Sequence, residues 1–193
     1  MIFKLTPRLD SGLKIAAYAH GKANQYRKGG REIPYIMHPF TVMSLLTNIT
    51  DDEDILIAAL LHDVLEDVDS SIISAEEIKD KFGDRVLSII KTVSKNPNIK
   101  DWRQSSEAYI EQIQKSGSVE AITVALADKS HNLFSTLLDY DEIGDEVWQR
   151  FTTKSKSDQI WFYKTLEHVF ESNIPPSSLL ETYQSYIKRL ESI

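Results

Sequence analysis

Apolar residues recur at three- and four-residue spacing along most of this 193-residue chain, the period of helices that bury one face. No alternating run is longer than a few residues, and only 7 glycines and 6 prolines interrupt the pattern. The spacing predicts a first helix over residues 11–24, with Leu13, Ile15, Ala16 and Ala19 on its apolar stripe and a break at Gly29-Gly30 soon after. Pro34 suits the first turn of a second helix through Met37, Val42 and Leu45-Leu46, where a missing amide costs nothing. Asp51-Asp52-Glu53-Asp54 places acidic groups where a third helix should begin, favourably against its dipole. The apolar run over 55–61 that follows is the most buried-looking stretch of the chain. Ser74-Ala75-Glu76-Glu77 matches a capping box, another helix over 84–93 follows the break at Gly83, and Asn96-Pro97-Asn98 marks a loop. Helices over 102–115, 119–140, 157–170 and 177–190 complete an all-α, compact multi-helix bundle. Nothing repeats and no linker divides the chain, so a single domain over 1–193 is expected.

Charge and composition narrow the function. A formal charge of −7, from 29 acidic against 22 basic residues, repels polyanions, so no nucleic-acid polymer is expected as a partner. A small anionic nucleotide could still be drawn to Tyr26-Arg27-Lys28-Gly29-Gly30-Arg31, a basic cluster that charge alone would read as a solvated turn. Without cysteines there are no disulfides or thiolate sites, and any metal must use His, Asp, Glu or water. No segment approaches membrane-spanning length and the first residues carry no cleavage signal, which predicts a cytoplasmic protein with no membrane partner. The apolar stripe Leu179-Leu180, Tyr183, Tyr186-Ile187 and Leu190 suits packing on the chain's own core, and either a monomer or a homodimer is compatible with it.

In Leu60-Leu61-His62-Asp63-Val64-Leu65-Glu66-Asp67 a solidly apolar helix suddenly presents four ionisable side chains. Burying them unpaired would be costly. On a helix His62 and Asp63 point about 100° apart, close enough to share one ion, while Glu66 returns to the same face. An isolated His-Asp pair would equally be read as a satisfied core histidine beside a surface carboxylate. Two further candidates change that reading: His38, four residues past Pro34, and Asp128, inside the apolar stretch 121–127. Two imidazoles and two carboxylates suit Mn²⁺, Fe²⁺ or Zn²⁺. Glu66 and Asp67, one turn beyond, are placed to orient a water and take its proton.

The ordered set of His20, Arg27-Lys28, Pro34-Tyr35-Ile36-Met37-His38-Pro39, the His62-Asp63 stretch and Ala127-Asp128-Lys129-Ser130-His131-Asn132 resembles the HD-type hydrolase domain of RelA/SpoT proteins and small alarmone hydrolases, across roughly residues 11–170. The resemblance implies hydrolysis of the 3′-pyrophosphate of guanosine 3′,5′-bis(diphosphate), ppGpp, with a single Mn²⁺. By the same resemblance His38, His62, Asp63 and Asp128 hold the metal, and Glu66 and Asp67 activate water. Arg27 lies against the base, Lys28 and Asn132 help to hold the nucleotide, and Tyr35, His131 and Ser135 line or brace the cleft, core packing being the alternative for these three.

The chain departs from its relatives at two places. Ser105-Ser106 stands where they often carry an Arg-Lys pair, and Phe134 where they often carry an arginine. Losing charge-assisted contacts to phosphate costs about 1.5–3 kcal/mol each, unless Arg103 or Lys129 substitutes. Three readings stay open at this point: a phosphohydrolase acting on ppGpp or on another nucleotide such as NADPH, a nucleotide-binding regulatory protein with weak hydrolysis, and a structural helical partner whose ionisable residues satisfy one another.

Overall fold

The computed structural model describes residues 4–28 and 32–193, so Gly29, Gly30 and Arg31 of the basic cluster and Met1, Ile2 and Phe3 lie outside the described residues. Helix α1 (Pro7–Lys22) begins four residues before the expected start at 11. The Thr6 hydroxyl accepts the Leu9 amide and Pro7 takes the first position, a start signal lying outside the apolar stripe. The expectation for Pro34 fails. Helix α2 (Met37–Leu46) starts three residues later, and Pro34 instead pairs with Tyr26 in an isolated antiparallel bridge. Backbone bonds from Arg27 to the Ile33 carbonyl and from Tyr35 to the Gln25 carbonyl hold this segment as a folded-back loop, which leaves it unable to enter the helix.

Helix α3 (Glu53–Leu61) is capped by Asp52, whose carboxylate accepts the Asp54 amide. Every residue over 55–61 is buried, because α1, α2, α5 and α7 surround the helix. His62 and Asp63 are not on a continuous helix as expected: they form the turn between α3 and the short α4 (Val64–Asp67). Both keep right-handed helical dihedrals, φ −59°, ψ −36° and φ −89°, ψ −8°, so the angular offset expected of helical neighbours is largely retained.

The capping box forms as expected at the start of α5 (Ala75–Val93), with Ser74 and Glu77 exchanging side-chain and backbone bonds. Gly83 breaks that helix at φ 89°, ψ 171°, a conformation open almost only to glycine. A Cβ there would meet nothing within 4 Å, so Gly83→Ala should cost backbone strain alone. The expected loss is about 1–3 kcal/mol in urea unfolding, with metal content unchanged; an unchanged midpoint would contradict it.

Helix α6 (Trp102–Ser116) ends at the left-handed Gly117, and the 25-residue α7 (Val119–Ile143) then packs against α2, α3, α5 and α6. A 3₁₀ helix over Gly144–Arg150, which the apolar spacing does not predict, buries Val147 and Trp148. Helices α8 (Lys156–Asn173) and α9 (Ser178–Ser192) also pack on α7. The α9 stripe, including Leu179, Leu180, Tyr183, Ile187 and Leu190, is spent on the chain's own core, as the sequence suggests. The buried apolar residues form one contiguous cluster from Leu9 to Leu190. Among the described residues no helix is long and apolar enough to cross a membrane.

Candidate metal centre

Three packed elements deliver four of the predicted side chains to one place. The first turn of α2 contributes His38, the turn after α3 His62 and Asp63, and the middle of α7 Asp128. One ligand atom each from His38, His62 and Asp128, all buried, lies within 4.8 Å of the others. Asp63 Oδ2 stands against both imidazoles, 3.0 Å from His62 Nε2 and 3.5 Å from His38 Nε2. His38 Nε2 and His62 Nε2 are 3.1 and 3.8 Å from Asp128 Oδ1.

Hydrogen bonds outside the cluster fix which atoms face inward. His62 Nδ1 donates to the Ala59 carbonyl at 2.8 Å, which sets the tautomer and turns the Nε2 lone pair toward the carboxylates. That Nε2 is buried and has no hydrogen-bond partner among the described residues. A buried nitrogen acceptor left facing two carboxylates and a second imidazole is costly unless a cation lies between them. His38 Nδ1 is held by His131 Nδ1 at 2.7 Å, and the Tyr35 hydroxyl donates to Asp63 Oδ2 at 2.7 Å. Tyr35 and His131 therefore brace the cluster. Asp128 receives the Lys129 ammonium on Oδ2 at 2.6 Å and the Asn132 amide on Oδ1 at 2.5 Å.

The electrostatics follow from this packing. Burial opposes charge on every member, yet Asp63 stays well below the usual carboxylate range beside His62, and Asp128 does so beside Lys129 and His38. Without an ion, Asp63 and Asp128 push His62 up against its burial, so a proton on Nε2 is what a divalent ion would displace, whereas burial pushes His38 down. Burial and the neighbouring His38 hold His131 down to about 3, keeping it neutral in its bond to His38. Glu66 and Asp67 are exposed at the surface but packed on their inner side; desolvation there raises Glu66, and the same effect with the charges of Asp63 and Glu66 raises Asp67 to about 7.

The remaining predicted residues sit around this centre with different degrees of engagement. Glu66 Oε2 accepts the Lys95 backbone amide at 2.8 Å, which aims its carboxylate from α4. Arg27 donates two long bonds, 3.4 Å each, to Asn132 Oδ1, and its guanidinium lies 5.9 Å from the Tyr35 ring centroid. Lys28 is exposed on the same loop. Ser135 is half-buried one turn beyond His131, and no hydrogen bond links it to the cluster among the described residues.

Phe134 does not face the site. It lies about 120° around the helix from Asp128, and its ring packs 5.5 Å from that of Tyr186 on α9. Arg103 is turned away too, 3.2 Å over the Trp161 ring and paired with Glu107, so it does not replace the missing cations. Sequence reasoning missed Gln25 and Lys95. Gln25 links the buried His20 to the Asp67 carbonyl through two 2.6 Å bonds. Both residues come from loops, where no periodicity marks a residue as inward-facing.

A family profile described as an HD domain matches residues 13–161. The chain belongs to the HD-domain family. That fold is one of metal-dependent phosphohydrolases, and its divalent metal fits the His-His-Asp cluster described above. A Haemophilus influenzae protein named guanosine-3′,5′-bis(diphosphate) 3′-pyrophosphohydrolase is 36% identical over 124 residues, 62% of this chain but only 17% of that protein. The Drosophila melanogaster protein of the same name, MESH1, is 36% identical over 123 residues, 63% of this chain and 65% of its own length. A solved metazoan SpoT orthologue shares the fold with a TM-score of 0.79 at 24% identity, covering 97% of this HD-domain chain and 98% of the other. A Listeria monocytogenes structure matches with a TM-score of 0.71 at 25% identity, covering 81% of this chain and 99% of the other.

Proposed function

We propose that this HD-domain protein is a metal-dependent hydrolase of nucleotide phosphate or pyrophosphate esters, with ppGpp as its substrate and the 3′-pyrophosphate as the group removed. The observation that carries the reading is the buried Nε2 of His62, without a hydrogen-bond partner among the described residues and turned by the Ala59 carbonyl toward Asp63, Asp128 and His38. The relatives named as guanosine-3′,5′-bis(diphosphate) 3′-pyrophosphohydrolases support the choice of substrate.

In this reading His38, His62, Asp63 and Asp128 hold one divalent ion, Mn²⁺, with Fe²⁺ or Zn²⁺ suited to the same donors. The ion supplies Lewis-acid polarisation of the phosphoryl group. Glu66, its Oε2 anchored on the Lys95 amide, orients the attacking water and takes its proton. Asp67, beside Glu66 at the end of α4, helps to orient and deprotonate that water. The water oxygen bonds to phosphorus, the bond from phosphorus to the ribose 3′-oxygen breaks, and that oxygen leaves with a proton, giving GDP and pyrophosphate. Arg27 stacks against the base, Lys28 and Asn132 hold the nucleotide, and Ser135 lines the cleft. A single domain over 1–193 and a cytoplasmic location, where nucleotides are dissolved, go with this function.

The test is a phosphate- and pyrophosphate-release screen with Mn²⁺ over ppGpp, NADPH and nucleoside monophosphates. Stoichiometric pyrophosphate and GDP from ppGpp, abolished by chelation, is the expected result. Release from NADPH alone would move the substrate to a 2′-phosphate ester, and no release from any nucleotide would sink the hydrolase reading.

A further inference from the structure

A second cation stands beside the metal centre without pairing with its carboxylates. Lys129 is committed to Asp128 at 2.6 Å, and its ammonium also stands 4.8 Å from the centroid of the Tyr109 ring. Lys95, from the loop between α5 and α6, brings a second ammonium to the same ring, 5.6 Å from its centroid and 5.2 Å from that of Phe162. Among the described residues Lys95 forms no ion pair. Its backbone amide meanwhile holds Glu66, so the side chain starts beside the group that takes the water's proton.

Two ammonium groups near one aromatic ring repel each other, and Lys129 opposes the charge on Lys95. The ring faces offset part of that cost, and an anion bound by both would offset more of it. Burial and the charge of Lys129 lower Lys95 to about 8 against the opposing charges of Glu66 and Asp128. Tyr109 adds a buried hydroxyl with no partner among the described residues.

We propose that Lys95 binds a phosphate group of the substrate, with Lys129 completing the pocket over Tyr109. The inference rests on reading the centre as a phosphohydrolase and adds a residue that sets its preference for highly charged esters. It also accounts for the serines at 105 and 106: Ser106 is buried and Arg103 is turned onto Trp161, so the charge arrives from the preceding loop instead of from α6.

The direct test is calorimetric titration of inorganic phosphate into the full-length, metal-loaded protein and its Lys95→Met and Lys95→Arg variants, with metal content checked in each. Loss of one charge-assisted contact should weaken phosphate about tenfold or more in Lys95→Met. Lys95→Arg should stay within a few-fold of the parent. Should Lys95→Met not fold, Lys95→Gln carries the same comparison. Equal phosphate affinity in the parent and the uncharged variant, an equal loss in Lys95→Arg, or no phosphate binding by the parent would each overturn the assignment. Charge-dependent phosphate binding in a protein that leaves ppGpp intact would sink the substrate reading and keep the role of Lys95; normal ppGpp hydrolysis with charge-independent phosphate binding would do the reverse.

Discussion

Replacing Asp63 by alanine is expected to yield a folded protein that keeps no divalent metal through dialysis and hydrolyses no nucleotide. Asp63 Oδ2 stands 3.0 and 3.5 Å from the inward nitrogens of His62 and His38, so its removal takes away the negative charge closest to His62 and one of the two that face His38. Losing a group that merely supports a ligand costs about 10- to 100-fold in metal affinity or activity, and losing a carboxylate that faces the ion directly should cost more. The fold should survive because Asp63 lies in the turn after α3, outside the fully buried run over 55–61. The Tyr35 hydroxyl loses its acceptor, a penalty of about 1–3 kcal/mol. Metal analysis after dialysis, paired with thermal unfolding, separates the two effects, and a metal-replete, active Asp63→Ala protein would refute the ligand assignment.

Glu66→Gln should reduce kcat by about 10²- to 10⁴-fold, the usual contribution of a positioned general base. Metal content and KM should change little. The amide oxygen of glutamine can still accept the Lys95 backbone amide, so the side chain keeps its aim while losing its basicity. Steady-state kinetics on ppGpp decide the matter: an unchanged kcat with a raised KM would make Glu66 a binding residue.

The helices were legible in the sequence because apolar spacing and caps are local signals. Ser74 caps α5 as its capping box predicts, and α3 starts within the acidic cluster that marks its beginning, capped by Asp52. The misses have physical causes. Pro34 is compatible with a helix start or a bridged loop, and the backbone bonds that pair Arg27 with Ile33 and Tyr35 with Gln25 decide for the loop. Thr6-Pro7 starts α1 ahead of its apolar stripe, and the 3₁₀ helix over Gly144–Arg150 is too short to show a period.

The cluster was readable from His62-Asp63 and Asp128 because ionisable groups inside apolar helices demand a partner. Its bracing was only partly so. The bond between His38 and His131 joins residues 93 apart, and Gln25 and Lys95 lie in loops whose side-chain directions depend on tertiary packing. Phe134, where relatives often carry an arginine, packs on α9 because a two-residue step from Asn132 turns about 200° around the helix.

The central claim is that one divalent ion sits among His38, His62, Asp63 and Asp128. Anomalous diffraction at the manganese edge, from crystals of the Mn²⁺-loaded protein, measures it most directly. A single strong peak within coordination distance of His62 Nε2 and His38 Nε2 is the predicted result. A cluster without anomalous density, or a manganese peak bound elsewhere while His62 Nε2 stays unliganded, would contradict it.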